Sequence, residues 1–323
     1  MLKDNLGRHF RYLRLSITDV CNFKCNYCLP NGYQCDAPKQ FLTLREIQTL
    51  LYAFAQLGMK KIRLTGGEPT LRRDLTEIIA LCRNTPGIEH VAMTTNGYRL
   101  ARHIDDYVAA GLQSVNISID SLNPESFIAI TGYQKFEQVM LGIERASASE
   151  LQQVKLNAVL LKQFNTAQFE HTLEWLRNRR LTYRFIELME TGNNSEFFSA
   201  NHCSGQQVKQ QLLDKGWQRV LAGPLSGPAQ EFYHPDYAGR VGLIMPYSKD
   251  FCQNCNRLRV SSMGQLQMCL FADAGIDLRN ALQAEDVEQT KLYILAAMQD
   301  KVSAHQLSAH QTGATLNLAQ IGG

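Results

Sequence analysis

The sequence predicts an α/β protein in which about six strand–helix units build a parallel sheet or barrel. Two observations support this prediction. Short apolar segments alternate with longer segments of helical periodicity along the first 190 residues. Within the predicted strands, side chains of one parity are polar and those of the other parity are apolar. A parallel sheet covered on both faces would be apolar throughout, so the polar face is expected to line an enclosed, wet space.

The elements follow one another in a regular order. The first strand is predicted from Phe10 to Ile17, and a capping box formed by Thr43 and Glu46 opens the first helix, which Gly58 ends. Further helices are predicted after Asp74, with Glu77 three residues on, and up to Gly111. The remaining strands are predicted at residues 61–65, 89–95, 114–120, 154–160 and 183–189.

The strand–helix order breaks after about residue 190, and Pro, Gly and Ser concentrate at residues 223–228. We therefore expect two domains, residues 1–225 and residues 226–323. The chain has 323 residues, 45% of them hydrophobic, which is enough for a large core. Its net charge of +3 gives no reason to expect nucleic acid or a membrane surface as a partner. Nine cysteines without an apolar leader predict a cytoplasmic protein whose thiols bind metal rather than form disulfides.

Three cysteines follow the first strand in the spacing Cys21-x3-Cys25-x2-Cys28. Three thiolates can hold three irons of a [4Fe–4S] cluster, which normally takes four cysteines. The fourth iron would then accept an exchangeable ligand, which suits a cluster that takes part in chemistry. A structural zinc loop is the alternative at this point.

The polar parity of the strands brings three cations, Arg14, Arg63 and Lys155, into one predicted cavity. Burying three like charges together is unfavourable unless an anion binds among them. The other polar positions of the same parity are Ser16, Thr65, Thr94, Asn96, Asn116, Ser118 and Asn157.

A second cysteine group has the spacing Cys252-x2-Cys255-x13-Cys269. Arg257 and Arg259 follow, and in an extended segment both point toward one bound anion, which guanidinium groups bind bidentately when it is a phosphate. Zinc is the alternative for this group as well, with His202 or His234 as a fourth ligand.

Taken together, the motifs resemble the radical S-adenosylmethionine (SAM) superfamily and, within it, the molybdenum cofactor biosynthesis protein A family of GTP 3′,8-cyclases. The resemblance runs from about residue 5 to the end of the chain; Phe23 and Leu29 depart from the common residues, Leu and Met. It rests on the cysteine groups and on the segments 12–19, 63–69, 94–97, 250–259 and 322–323.

The resemblance implies an incomplete (β/α)6 TIM-like barrel whose open side is closed by a C-terminal segment carrying a second [4Fe–4S] cluster. It implies a cyclase that converts GTP to 3′,8-cyclo-7,8-dihydro-GTP, the first step of molybdenum cofactor synthesis. A 5′-deoxyadenosyl radical, formed from SAM at the N-terminal cluster, would abstract the C3′ hydrogen of GTP. The implied partners are an external one-electron reductant of the flavodoxin or ferredoxin type and, by product hand-off, cyclic pyranopterin monophosphate synthase; the sequence leaves a monomer and a homodimer open.

The resemblance also assigns residues. It assigns the SAM-bound cluster to Cys21, Cys25 and Cys28, and SAM itself to Tyr27, Gly66, Gly67, Glu68, Ser118 and Met189. It assigns the substrate-bound cluster to Cys252, Cys255 and Cys269, and GTP to Arg14, Arg63, Thr94, Lys155, Arg184, Arg257, Leu258 and Arg259. It assigns catalytic roles to Arg257, Arg259, Gly322 and Gly323.

Two other functions remain to be weighed. A peptide-modifying radical SAM maturase with an auxiliary cluster should lack the cavity cations and carry a longer, cysteine-rich C-terminal extension. A non-catalytic iron–sulfur or zinc protein that binds nucleotide or RNA should show basic stripes interleaved with aromatic residues. The sequence has neither pattern.

Overall fold

The computed structural model describes residues 2–34, 40–221, 223, 227–253, 255–272, 275–315 and 318–319. Within these residues, twelve strands form a single sheet. The strands are β1 (Tyr12–Ser16), β2 (Lys61–Thr65), β3 (His90–Thr95), β4 (Ser114–Ser118), β5 (Gln153–Leu160), β6 (Thr182–Glu187), β7 (Gln218–Arg219), β8 (Gln230–Tyr233), β9 (Arg240–Ile244), β10 (Arg257–Val260), β11 (Gln265–Gln267) and β12 (Ile276–Asp277).

Most helices lie between the strands, as the alternating pattern predicts, and the last two follow the sheet. They are α1 (Leu44–Gln56), α2 (Leu75–Asn84), α3 (Leu100–Ala109), α4 (Pro124–Thr131), α5 (Phe136–Ala148), α6 (Phe169–Leu176), α7 (Ser195–Asn201), α8 (Gly205–Asp214), α9 (Arg279–Gln283) and α10 (Val287–Gln299). In the part of the chain that the structure describes, no helix is both long enough and apolar enough to cross a bilayer.

The sheet confirms the incomplete barrel. Strands β1 to β6 lie side by side in chain order and are all parallel. The C-terminal part of the chain then extends both edges, because β9 pairs in parallel with β6 and β10 pairs in parallel with β1. Antiparallel strands β8 and β7 continue beyond β9, and β11 and β12 continue beyond β10. Among the described residues β7 and β12 do not pair, so the barrel stays open.

Helices α1 and α2 begin where the sequence predicts. Of the two residues predicted to open them, one caps its helix and the other does not. At α1 the capping box is confirmed: Thr43 Oγ1 accepts from the backbone N–H of Glu46 at 3.3 Å, and the Glu46 carboxylate accepts from the N–H of Thr43 at 2.7 Å. Asp74 precedes α2 but does not cap it. Its carboxylate instead accepts from Arg72 Nε at 2.7 Å, because the arginine lies close enough to compete with the helix N–H groups.

The alternating polarity of the strands is confirmed by burial. In β1 the apolar parity, Leu13 and Leu15, is fully buried in the main hydrophobic core, as are Val115 and Ile117 of β4. The opposite parity faces the interior of the barrel, where it lines the cavities described next. The helices therefore supply the core, and the inner face of the sheet is free for polar chemistry.

Candidate active site

The inner face of the barrel encloses two cavities that share Asn157, Ile186 and Met189 in their walls. The smaller, which we call the cysteine-loop cavity, has a volume of about 160 Å³ and is lined by Cys21, Cys25, Cys28, Tyr27, Gly66, Gly67, Thr94, Ser118 and Asp120 among others. The larger, the cation cavity, has a volume of about 530 Å³ and is lined by Arg14, Arg63, Lys155, Arg184, Arg257, Arg259 and the cysteines 252, 255 and 269 among others. The two cysteine groups thus open onto neighbouring spaces.

The glycine pair after β2 holds the cysteine loop in place. Gly66 has a φ of +153°, and any side chain there would collide with the carbonyl oxygen of Thr18. Gly67 donates its N–H to Thr18 O at 2.9 Å, and a side chain on Gly67 would collide with Val20 O. The two glycines thus allow the backbone after β2 to approach the loop that carries the cysteines, while their assignment to SAM stays a prediction.

The carboxylate of Glu68 is turned away from the cysteine-loop cavity. It is fully buried and accepts hydrogen bonds from Thr70 N at 3.0 Å, Thr95 Oγ1 at 2.7 Å and Asn96 N at 2.7 Å. Burial raises the pKa of Glu68, and these hydrogen bonds counter that rise. Gly66 and Gly67 therefore line the cavity, whereas the Glu68 side chain is hydrogen-bonded to residues behind the cavity wall.

A carboxylate absent from the expected site residues, Asp120, stands opposite the cysteine loop. The phenol of Tyr27 donates to Asp120 Oδ2 at 3.0 Å, and Asp120 Oδ1 accepts from Val159 N at 2.8 Å. Burial raises the pKa of Asp120 to about 6. The sequence signal for this residue was its place two residues after β4, near the carboxyl end of a strand, where sites of parallel barrels lie.

The surroundings of the first cysteine group fit an iron–sulfur cluster. Burial raises the pKa of the Cys21 thiol to about 11 and that of Cys28 to about 12, so bare thiolates would be unstable there. Backbone hydrogen bonds from Leu318 and Ala319 to Cys28 favour the thiolate form. The sulfur atoms of this group accept N–H hydrogen bonds and, as thiolates, need a positive charge beside them. Both features suit sulfurs that bind iron.

The second cysteine group lies in the wall of the cation cavity. Burial raises the pKa of Cys255, but the charges of Arg257 and Lys301 outweigh it, and the net pKa lies below the ordinary value. The two histidines proposed from the sequence as zinc ligands do not line this cavity: His202 Nε2 lies 3.2 Å from Glu187 Oε1, and His234 packs on a tryptophan ring. A third histidine, His305, does line it. Within the described residues, no three His, Cys, Asp or Glu side chains are arranged around a single metal ion. The thiols of a four-iron cluster need no such arrangement, since each binds a different iron.

The cations of the large cavity form two rows across neighbouring strands. The register of β10, β1 and β2 aligns Arg259, Arg14 and Arg63 in one row. It aligns Arg257, Tyr12 and Lys61 in the other. Lys61 and Tyr12 were missing from the expected site residues. Each lies two residues before an expected cation on the same strand, Arg63 or Arg14, so its side chain points to the same face of the sheet. Continuing the alternating pattern by two residues along each strand would have predicted both.

Tyr12 is the hydrogen-bond partner of Arg63. Arg63 Nε donates to the Tyr12 phenolic oxygen at 2.5 Å, and Arg63 NH1 donates to Met93 O at 2.9 Å and to Thr94 Oγ1 at 3.3 Å. Burial raises the pKa of Tyr12, but the charges of Arg63, Arg14 and Lys61 lower it to about 7. Thr94, which was expected to bind GTP, lies in the wall of the cysteine-loop cavity and accepts a hydrogen bond from Arg63 of the cation cavity.

One expected site residue, Leu258, is placed differently from these. Leu258 is fully buried and aligned with Leu13, so its side chain belongs to the core, on the parity opposite to Arg257 and Arg259. Gly322 and Gly323 lie outside the described residues. The last described residues, Leu318 and Ala319, line the cysteine-loop cavity.

Comparisons with known proteins agree with this geometry. Residues 15–176 match the family model described as the radical SAM superfamily, and residues 181–307 match the model described as Molybdenum Cofactor Synthesis C. The chain is 53% identical over 325 residues to a GTP 3′,8-cyclase of Shewanella denitrificans, covering 100% of this chain and 96% of that protein. It is 52% identical over 326 residues to a GTP 3′,8-cyclase of Klebsiella pneumoniae, covering 100% and 99%. The chain belongs to the GTP 3′,8-cyclase family of radical SAM enzymes.

Solved structures of other radical SAM proteins share the fold of this family member. Streptococcus suis SuiB bound to the precursor peptide SuiA superposes with a TM-score of 0.57 at 12% identity, over 90% of this chain and 68% of that chain. The protein anSMEcpe with bound AdoMet and the Cp18Cys peptide superposes with a TM-score of 0.54 at 12% identity, over 89% and 83%. At this identity the likeness shows the common barrel alone.

Membership of the family confirms that the chain is an enzyme that uses SAM and a [4Fe–4S] cluster. Cys21, Cys25 and Cys28 fit this cluster, since they follow β1 at the carboxyl end of the barrel and share one cavity. When bound, the cluster and SAM supply the radical chemistry of the superfamily. What the chain itself contributes is the shape and charge of the two connected cavities.

Proposed function

We propose that this chain converts GTP to 3′,8-cyclo-7,8-dihydro-GTP, the first step of molybdenum cofactor biosynthesis. The observation that supports the proposal best is the charge of the cation cavity, because a polyphosphate is the ligand that such a cavity suits. Its described lining residues include eight Lys and Arg side chains, namely Arg14, Lys61, Arg63, Lys155, Arg184, Arg219, Arg257 and Arg259. The described lining residues of the same cavity include one carboxylate, Glu231.

The connection between the two cavities supports a hydrogen transfer from this substrate. Asn157, Ile186 and Met189 line both spaces, so a ligand in the cation cavity and one beside the cysteine loop meet at this boundary. In the proposed arrangement SAM lies against Tyr27, Gly66, Gly67 and Ser118, and the ribose of GTP lies at the boundary. The triphosphate then lies among the cations of the cation cavity.

We also assign the second cysteine group to a [4Fe–4S] cluster that binds the guanine through its open iron. Support comes from the place of Cys252, Cys255 and Cys269 in the wall of the cation cavity and from the nearby charges that favour a Cys255 thiolate. The reductant in this proposal is an external flavodoxin- or ferredoxin-type protein, and the product passes to cyclic pyranopterin monophosphate synthase.

The function is tested by an anaerobic reaction of reconstituted protein with dithionite, SAM and GTP, followed by mass spectrometry. We expect 5′-deoxyadenosine and a cyclised product, which is an isomer of GTP and is separated from it by chromatography before mass spectrometry. ATP and a cysteine-containing peptide serve as alternative substrates and should give no modified product. A modified peptide and unchanged GTP would instead identify a maturase.

The cations of the cation cavity should act as the triphosphate site. Alanine substitutions of Arg14, Arg63, Lys155, Arg257 and Arg259 are each expected to weaken GTP binding and leave the iron content unchanged. Each removes a charged hydrogen-bond partner, which costs about 1.5–3 kcal/mol, or roughly ten- to a hundred-fold in affinity. Binding is measured by calorimetry, with Lys215→Ala, an exposed lysine paired with Glu170, as the matched control. Unchanged affinity in all five variants would contradict the assignment.

GTP binding should weaken above pH 8. Burial and the charge of Arg184 lower the pKa of Lys155 to about 8, although Glu231 opposes the shift. Below this pKa the ammonium attracts phosphate, and above it the attraction is lost, so the affinity should fall about ten-fold between pH 7 and 9. Lys155→Arg, which stays charged, should remove most of this decline. Tyr12→Phe serves as the control for the phenol that also titrates in this cavity.

A further inference from the structure

Glu231 of β8 is an acidic residue in a cavity dominated by cations. Its Oε1 atom accepts from Lys155 Nζ at 3.0 Å and from Arg184 NH2 at 2.7 Å. Burial raises the pKa of Glu231, but these two cations lower it to about 2, so the carboxylate is ionised at any working pH. Two of the cations that face the cavity are therefore already engaged by a carboxylate of the chain itself.

The fold builds this contact across three strands. In the register of the sheet, Glu231 of β8 pairs with Gly242 of β9, and Gly242 pairs with Arg184 of β6. A side chain at Gly242 would place its Cβ 2.7 Å from Arg184 Cγ. The glycine therefore leaves open the space through which Arg184 passes over β9 to reach the glutamate. This makes the contact a built feature of the cavity wall.

The carboxylate leaves part of the arginine unsatisfied. Arg184 is 7% exposed, and its Nε has no hydrogen-bond partner among the described residues. A buried N–H donor without a partner is unfavourable. Glu231 thus engages one terminal nitrogen of Arg184 and does not satisfy the whole guanidinium group.

We propose that Glu231 is a specificity-determining residue that competes with the phosphates of the substrate for Lys155 and Arg184. This inference rests on the proposed function. A phosphate group gains the full charge of the two cations only by displacing or sharing the carboxylate, so the phosphates alone bind less tightly than the cations of the cavity would otherwise allow. A ligand then fills the cavity only if it makes further contacts, as the nucleoside of GTP does, and free polyphosphate is kept out.

The test compares wild-type holoenzyme with Glu231→Gln, which keeps the size and the acceptor of the side chain and removes its charge. Inorganic triphosphate and GTP are titrated into each protein by calorimetry. We expect Glu231→Gln to bind inorganic triphosphate about ten-fold more tightly than wild type, because one nearby negative charge is removed. Glu89→Gln, in an exposed pair with Lys60, is the control and should not change the affinity.

A second variant keeps the test decisive if the glutamine variant folds poorly. Glu231→Asp retains the charge, but its side chain is one methylene shorter and cannot bridge both cations. The two cations are then less strongly engaged, so the variant protein should bind inorganic triphosphate about three-fold more tightly than wild type. Equal or weaker binding in both variants would overturn the proposal and leave Glu231 with the role of holding Lys155 and Arg184 in position. Wild-type protein that does not bind GTP in the same titrations would count against the proposed function itself.

Discussion

Replacing Cys25 with alanine is expected to abolish SAM cleavage, with no 5′-deoxyadenosine detectable above background. Cys25 is half-buried in the wall of the cysteine-loop cavity, where it shares the space with Cys21 and Cys28. Losing one of the three cysteine ligands removes the cluster that cleaves SAM. The same result is expected for Cys21→Ala and Cys28→Ala. Cys82→Ala is the matched control, because Cys82 is a fully buried thiol of α2 outside both groups.

The second cysteine group should behave differently. Cys255→Ala is expected to leave SAM cleavage measurable without GTP and to lose the cyclised product, because the proposed second cluster holds the substrate. Iron analysis should give about eight irons per chain for wild type and about four for this variant. Stoichiometric zinc with only four irons in anaerobically prepared wild type would contradict the second cluster.

Deleting Gly322 and Gly323 is expected to reduce product formation by at least a hundred-fold, with iron content and GTP binding near normal. This expectation comes from the family resemblance, and the course of the described part of the tail is consistent with it. Ala314 N donates to Ala272 O at 3.0 Å, and Gly192 N donates to Thr315 O at 3.0 Å, so the tail runs beside the loop that follows the second cysteine group. A few residues later, Leu318 and Ala319 reach the cysteine-loop cavity.

The tail prediction has two further arms. Changing both glycines to alanine should lower activity as the deletion does, because a side chain would hinder close approach to the site. A synthetic peptide of the terminal residues should restore part of the activity of the truncated enzyme. Full turnover by the truncated enzyme would make the tail an ordinary chain end.

The local alternation of side chains was sufficient to predict the inner face of the barrel. Arg14, Arg63 and Lys155 face one cavity because strand parity is set by the pleat and survives in any parallel sheet. Arg257 and Arg259 share a face for the same reason. What parity could not show is that β10 pairs with β1, which places these two arginines in line with Tyr12 and Arg14.

The residues that sequence reasoning missed depend on contacts between distant segments. Glu231 reaches Lys155 and Arg184 only because β8 is added at the far edge of the sheet, 47 residues after Arg184 in the chain. No local pattern around Glu231 marks it as a cavity residue. The hydrogen bonds of the Glu68 carboxylate to Thr70, Thr95 and Asn96 likewise depend on how β2 and β3 pack, and the assignment of Glu68 to SAM stays a prediction.

The most direct test of the account follows the hydrogen that leaves the substrate. GTP deuterated at C3′ is incubated anaerobically with reconstituted protein, dithionite and SAM, and the 5′-deoxyadenosine is analysed by mass spectrometry. The account predicts 5′-deoxyadenosine that carries one deuterium and appears together with the cyclised nucleotide. Undeuterated 5′-deoxyadenosine alongside unchanged GTP would contradict it.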